Sequence, residues 1–329
     1  MSTRMVDAET LRASVTFDDL VDPVAQAFVE TSAGLADNGL IVMFPAERQE
    51  LGDVYVKTGS LRGHAVYIVK VSPWFHANVE SGGPQGGFVA VFDSATGRTL
   101  ALLHDEHYLS DIRTAAAGAV AARTLAPSTV DTVAVLGAGV QAYLQPLALY
   151  RERPFTRLTI WARSAPKAEA LMRRLSDELP AVEIRCATDI EATVRSADVL
   201  ITATQAREPL VHGQWLRDGA HVTAVGADDA TKCELDATVL QRAKVFVDAR
   251  ATAEANGDVH RAVRTGRYRM ADVSGELGEV ISGRVAGRTA EDDITVAKLV
   301  GIGAQDLVAA EVALAKLSPV TATLAACST

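Results

Sequence analysis

Val133-Ala-Val-Leu-Gly-Ala-Gly-Val-Gln-Ala-Tyr143 is the stretch whose reading decides the fold. It reads as a short buried strand, Thr132 to Leu136, entering a glycine turn and then a helix from near Val140 through Leu149. The small residues have separate jobs: Gly137 permits the tight turn, Gly139 lets a diphosphate approach the backbone, and Ala142 lets the helix pack on the strand. Free N–H groups at the helix start then face the phosphates. A glycine turn of this kind is common by itself, so its context decides. A second strand, Arg157-Leu-Thr-Ile-Trp161, follows about 20 residues on, where a dinucleotide fold places the residues that read the adenosine ribose.

Working outward, strands alternate with helices. The pattern reads as strands at Leu158–Trp161, Glu183–Cys186, Val199–Thr202, Ala220–Val225 and Val245–Val247, with helices at Pro166–Leu179, Ile190–Ser196 and Asp236–Arg242. Alternation with short connections implies a parallel sheet covered on both faces. Before this unit, two helical patterns occupy residues 8–37, ending near Gly39. Strand-like periods follow at Ile41–Phe44, Asp53–Lys57, Ala65–Val71, Gly87–Phe92 and Thr99–Leu103, separated by turn residues. They predict a mostly antiparallel sheet. An alanine-rich helix, Asp111–Arg123, connects the two parts. The last helical segment, Ile294 to Leu317, has no place in the parallel sheet and is expected to return to the first part. The expected fold is α/β: a Rossmann-type doubly wound parallel sheet over 126–294, and an α+β domain from 1–125 and 295–329.

A chain of 329 residues is too long for one typical core, and 48% hydrophobic with 22% charged residues describes an ordinary globular protein. A net charge of −9 argues against nucleic-acid or membrane-surface partners. Cys186, Cys233 and Cys327 have no paired spacing, so neither a disulfide framework nor a metal site is implied. With no signal-type segment and no long apolar run, a cytoplasmic location is expected.

Several charged positions are candidates for chemistry. Many NAD enzymes place a carboxylate after the second strand; here Ala162-Arg163-Ser164 stands instead, and an Arg with a Ser can hold a 2′-phosphate. NADP(H) is therefore favoured over NAD(H). Lys70 ends an apolar strand, where an ammonium is costly without a partner. Arg113, in the first turn of the alanine helix, stands at an unfavourable end for a cation. Both are better explained by an anion than by solvent. Arg48 and Lys57 are less sharp, since loop and strand-edge cations are ordinarily solvated. Asp228, in Val225-Gly-Ala-Asp-Asp229, lies just past a parallel strand, where open α/β sheets bind ligands, and a carboxylate there could exchange a proton with a substrate nitrogen. An Asx turn explains it equally well, and Asp229 competes for the role.

Taken together, Tyr108-Leu-Ser-Asp-Ile-Arg-Thr-Ala-Ala-Ala-Gly-Ala, Val135-Leu-Gly-Ala-Gly-Val-Gln-Ala, Gly226-Ala-Asp-Asp-Ala-Thr-Lys-Cys-Glu-Leu-Asp236, Gly275-Glu-Leu-Gly-Glu-Val-Ile-Ser-Gly and Asp293-Ile-Thr-Val resemble the ornithine cyclodeaminase/mu-crystallin family over roughly residues 40–310. The resemblance implies a homodimer through the N-terminal sheet and a small amino or imino acid held between the domains. It puts Lys70 and Arg113 on the substrate carboxylate with Arg48 as a third cation, and Asp228 at the substrate nitrogen. Asp228 and Lys70 are the candidate catalytic residues. The expected cofactor contacts are Thr114, Gly137, Gly139, Val140, Gln141, Ala142, Arg163, Ser164 and Thr204.

Ala230-Thr-Lys232 stands where ornithine cyclodeaminases often have Pro-Gly-Lys, which puts ring closure in doubt. Asp-Val-Tyr-Val-Lys-Thr and Lys-Val-Ser-Pro-Trp-Phe look most like the ectoine-utilisation cyclodeaminase-like branch and its iminosuccinate reductase relatives. That resemblance implies an NAD(P)H-dependent reductase of a small α-imino acid, with iminosuccinate to L-aspartate favoured and Lys57, with His76, as a second anion clamp. A cyclodeaminase releasing ammonia and a non-catalytic NADPH-binding protein are the alternatives.

Overall fold

The computed structural model describes residues 3–48 and 51–317. Strands β1 (Arg4–Val6), β2 (Ala36–Met43), β3 (Gly52–Leu61), β4 (Val66–Phe75), β5 (Phe88–Asp93) and β6 (Thr99–Leu103) form one sheet in the order β1-β6-β5-β4-β3-β2. Neighbours run antiparallel except β1, which adds to β6 in parallel. Along β3 burial alternates, so Asp53, Tyr55 and Lys57 share its inner face with Gly59 and Leu61. The expected turn from helix to strand at Gly39 is corrected: the helix is Val21–Ser32, and β2 already includes Asp37-Asn-Gly39. As an edge strand it tolerates these polar residues and gives no alternating signal.

The second sheet contains β7 (Thr132–Leu136), β8 (Arg157–Trp161), β9 (Glu183–Ala187), β10 (Val199–Thr202), β11 (His221–Ala224), β12 (Lys244–Val247), β13 (Gly275–Glu276) and β14 (Thr295–Lys298). All pairs are parallel, in the order β13-β12-β14-β11-β10-β7-β8-β9. The order reverses between β7 and β10, and at such a switch point the strand ends open into a ligand crevice.

β14 overturns one expectation. Thr295–Lys298, read as the start of the last helix, is a strand in the interior of this sheet, between β12 and β11. All four of its residues are buried, and a strand covered on both faces carries no period-two signal. The helix proper is Gly303–Leu317, which leaves the parallel sheet and packs on β2, β3, β4 and helix Val21–Ser32.

The connecting helix runs Tyr108–Leu125, three residues earlier than expected, so Arg113 lies in its second turn. Its small residues serve close packing: a Cβ added at Gly118 would fall 1.8 Å from Gln145 Oε1 on the next helix, Val140–Glu152. Enlarging such a contact costs about 1–3 kcal/mol. Among the described residues no helix is long and apolar enough to cross a membrane. Cys186 is exposed and Cys233 buried, both free thiols, while Cys327 lies outside the described residues.

Candidate active site

The glycine turn has the shape its sequence requires. Gly137 sits at φ +129°, and a Cβ there would fall 2.4 Å from the Ala203 carbonyl. At Gly139 an added Cβ would meet nothing within 4 Å, so the backbone opposite the crevice is open. Gly139 is the N-cap of helix Val140–Glu152 and supplies no side-chain cap, leaving first-turn amides for an anion. Val140 is exposed and Ala142 fully buried. These residues fit a dinucleotide diphosphate.

Around the turn, three of the candidate cofactor residues, Thr114, Gln141 and Thr204, are hydrogen-bonded into the protein. Gln141 Nε2 donates to the Asp111 carbonyl at 3.1 Å, and Gln145 Nε2 donates to Gln141 Oε1 and to the Thr114 carbonyl. Thr204 donates from N and Oγ1 to buried Glu234, which also accepts from Thr202 Oγ1 and Gly226 N. That carboxylate, absent from the sequence expectations, ties the ends of β10 and β11. Burial pushes the Asp111 carboxyl up to about 7, against Gln141 and Arg113. Arg163 is exposed after β8, and Ser164 occupies the next N-cap with no side-chain cap bond.

Facing this crevice, the inner face of the first sheet carries a cluster of cations. Lys57 and Lys70 are direct cross-strand partners, and both are buried, as is Arg113. Lys70 therefore sits mid-strand and not at a strand end. Like charges placed opposite are destabilising, so this pairing needs an anion. Asp306, at the start of helix Gly303–Leu317, is one: its Oδ1 accepts from Lys70 Nζ at 2.8 Å and Arg113 Nε at 2.9 Å. Lys70 also donates to Ser110 Oγ, and Arg113 to Gln305 Oε1.

Lys57 donates instead to the Gly301 carbonyl at 2.9 Å. Burial and the nearby Arg113 and Lys70 lower its ammonium to about 7. Asp306 is held well below the usual carboxylate range, since Arg113 and Lys70 outweigh its burial. Gly301, at φ +89°, brings its backbone close against the cations: a Cβ there would lie 2.8 Å from Arg113 Nη1 and 3.0 Å from Lys57 Nζ.

Two expected cations are exposed. Arg48 is exposed in the bend after β2. His76 is exposed at the start of a short helix, its Nε2 3.3 Å from Glu80 Oε1.

The two aspartates after β11 differ in their contacts. Asp229 makes the turn, its Oδ1 accepting from Thr231 N, Thr231 Oγ1 and Lys232 N. Asp228 is partly exposed and pairs with Lys232 Nζ at 2.6 Å. Tyr55, two residues from Lys57 on the same face of β3, directs its hydroxyl at both, 3.4 Å from Asp228 Oδ1 and 3.3 Å from Asp229 Oδ2. That contact joins the first sheet to the loop after β11.

Sequence reasoning missed Tyr55, Lys232, Asp306 and two further residues. Asp53 has its carboxyl raised to about 6, chiefly by burial. His107 is placed by left-handed backbone at Glu106 and His107 and lies 3.1 Å from Ser72 Oγ. Burial and Lys70 lower its imidazole to about 4, so it is neutral. Alternation along β3 could have flagged Asp53 and Tyr55 as sharing a face with Lys57.

Fold and site together define a Rossmann-type dehydrogenase architecture with a cluster of buried cations, Lys57, Lys70 and Arg113, on the inner side of the first sheet. The chain belongs to the ornithine cyclodeaminase/mu-crystallin family, whose sequence profile matches residues 1–318. It is 42% identical over 264 residues to an uncharacterized cyclodeaminase of Sinorhizobium fredii, covering 80% of each chain. Among solved structures, the Δ1-pyrroline-2-carboxylate reductase of Thermococcus litoralis, in complex with NADH and L-proline, superposes with a TM-score of 0.89 at 26% identity, over 95% of this chain and 97% of that one. The iminosuccinate reductase of Paracoccus denitrificans, in complex with NAD+, gives 0.86 at 25% identity over 95% and 96%.

Proposed function

We propose that this protein is an NAD(P)H-dependent reductase of a small α-imino acid, with iminosuccinate to L-aspartate as the favoured reaction. The observation that carries the reading is the Lys57–Lys70 pair beside Arg113: of these three buried cations, Lys70 and Arg113 share one carboxylate, Asp306, while Lys57 donates to the Gly301 carbonyl. Such an excess of positive charge suits a ligand with more than one carboxylate. The similarity to iminosuccinate reductase supports the same substrate class.

In this mechanism Lys70 and Arg113 hold the α-carboxylate and aim the C=N carbon, an orientation worth several kcal/mol where alignment is good. Lys57 takes the second carboxylate. Asp228, kept beside Lys232 and under the Tyr55 hydroxyl, faces the iminium nitrogen and stabilises its charge. The glycine turn at 137–142, with Thr114, Thr204, Arg163 and Ser164, would hold the dinucleotide, which supplies hydride when bound. Arg163 beside Ser164 favours NADP(H), although the two solved relatives above carry NADH and NAD+.

A homodimer through the first sheet is part of the proposal. Met5, Ile41, Met43, Phe88 and Leu100 are large apolar residues left exposed on its strands, a pattern that marks an interface. The cyclodeaminase alternative keeps the support of the family name and of the Sinorhizobium relative.

The test is NADH and NADPH oxidation with oxaloacetate, pyruvate or glyoxylate, each with ammonia. Oxidation fastest with oxaloacetate supports the reading. A preference for pyruvate or glyoxylate removes the dicarboxylate, and equal rates with NADH and NADPH remove the cofactor preference.

A further inference from the structure

We infer that Asp306 is the positioning residue of the anion pocket: one carboxylate oxygen aims Lys70 and Arg113, and its negative charge lies beside the cation pair opposite which Lys57 would receive a second carboxylate. The inference rests on the proposed imino acid pocket and adds to it a residue that touches no substrate.

Geometry comes first. Asp306 Oδ1 takes both charge-assisted bonds, from Lys70 Nζ at 2.8 Å and Arg113 Nε at 2.9 Å, while Oδ2 is buried and without a hydrogen-bond partner among the described residues. A single acceptor shared by two cations fixes the angle between them and leaves their remaining N–H groups for a ligand. Gln305, the neighbouring residue, is fully buried and accepts from Arg113 Nη1 at 3.3 Å and Ile302 N at 3.0 Å, so the start of the helix is locked to the pocket.

Charge comes second. The groups facing Lys57 are Lys70 from β4, Arg113 from the alanine-rich helix, Asp306 from the last helix, Asp228 from the loop after β11 and Asp248 from the end of β12. Asp248 is engaged elsewhere, accepting from Val300 N at 2.8 Å and Gly301 N at 2.6 Å and so fixing the loop whose carbonyls hold Lys57. Asp228 is paired with Lys232. Asp306 is thus the carboxylate set among the three cations, and without it two like charges would drive the proton off Lys57. A lysine lowered to about 7 carries its charge below that pH and loses it above, so dicarboxylate binding weakens as pH rises.

The experiment measures binding of succinate, which cannot be reduced, to the whole protein with oxidised cofactor, by calorimetry from pH 5.5 to 9. In the wild type, affinity should fall above about pH 7. In Asp306→Asn the fall should begin about one pH unit lower, giving roughly ten-fold weaker binding near pH 7.5. In Asp306→Glu, which keeps the charge but shifts it by a methylene, the fall should stay at the wild-type pH while turnover drops about ten-fold or more through misaimed cations.

An unshifted fall in Asp306→Asn, with affinity lowered equally at every pH, would overturn the inference and leave Asp306 a packing role. If Asp306→Asn does not fold, wild-type turnover in Asp306→Glu would overturn it as well. Failure of the wild type to reduce any imino acid while the succinate shift persists would instead sink the proposed reaction.

Discussion

Two buried lysines make the instructive comparison. Lys298, on β14 in the parallel sheet, is wholly buried and lies 3.2 Å from the equally buried Asp258. Lys57, on β3 in the first sheet, is also buried, but its hydrogen bonds go to backbone carbonyls and its cross-strand neighbour is another lysine. Buried carboxylates of the parallel sheet are held by the backbone: Glu234 receives the Thr204 amide, Asp258 Oδ1 those of Glu234 and Leu235, and Asp248 those of Val300 and Gly301. A charge that folding leaves in excess marks the place where a ligand completes the balance.

Substitutions can break this comparison. Lys298→Met should cost the most, about 3–5 kcal/mol, because Asp258 is left as an uncompensated buried charge. Urea unfolding would show it, and a stability equal to wild type would deny that the pair is structural. Asp228→Asn should lower turnover about 100-fold or more with cofactor affinity nearly unchanged; a near-normal rate would reduce Asp228 to an accessory of the turn.

Lys57→Met sharpens the contrast. Unlike Lys298→Met it should leave unfolding stability unchanged or raised, since it removes an unbalanced charge. It should also weaken a dicarboxylate imine about ten-fold or more relative to the imine of pyruvate, the scale of a lost charge-assisted bond. Equal effects on both substrates would remove the second clamp.

The smallest effect belongs to His64, whose ring nitrogens lie 3.0 Å from Glu30 and from Glu311 of the last helix. Burial opposes its charge, but the two glutamates win and raise its pKa. Stability from this contact is fully present below the unfolded value near 6.5 and is lost as pH rises through the raised folded value. His64→Gln should therefore unfold about 1 kcal/mol more easily at pH 6, with the gap closing toward pH 9. A gap independent of pH would assign His64 to packing.

How much of this was legible in the sequence follows from the same physics. The glycine turn and the alternation around it were readable because backbone shape restricts residue choice at Gly137 and because helix and strand periods differ. β14 was not, since a strand buried on both faces looks like any apolar run. Lys70 and Arg113 announced themselves as cations in apolar or dipole-opposed settings. Asp306 did not, because an aspartate in a helix's first turn is the ordinary surface choice. Asp53 was within reach of the alternation along β3, whereas His107 became visible only when the left-handed turn brought it beside Ser72.

The most direct test of the account is the stoichiometry of turnover by the wild-type protein. With oxaloacetate and ammonia the account predicts one NAD(P)H oxidised for each aspartate formed, and no ammonia from ornithine or diaminobutyrate. Release of ammonia from either diamino acid with no net change in cofactor would contradict it.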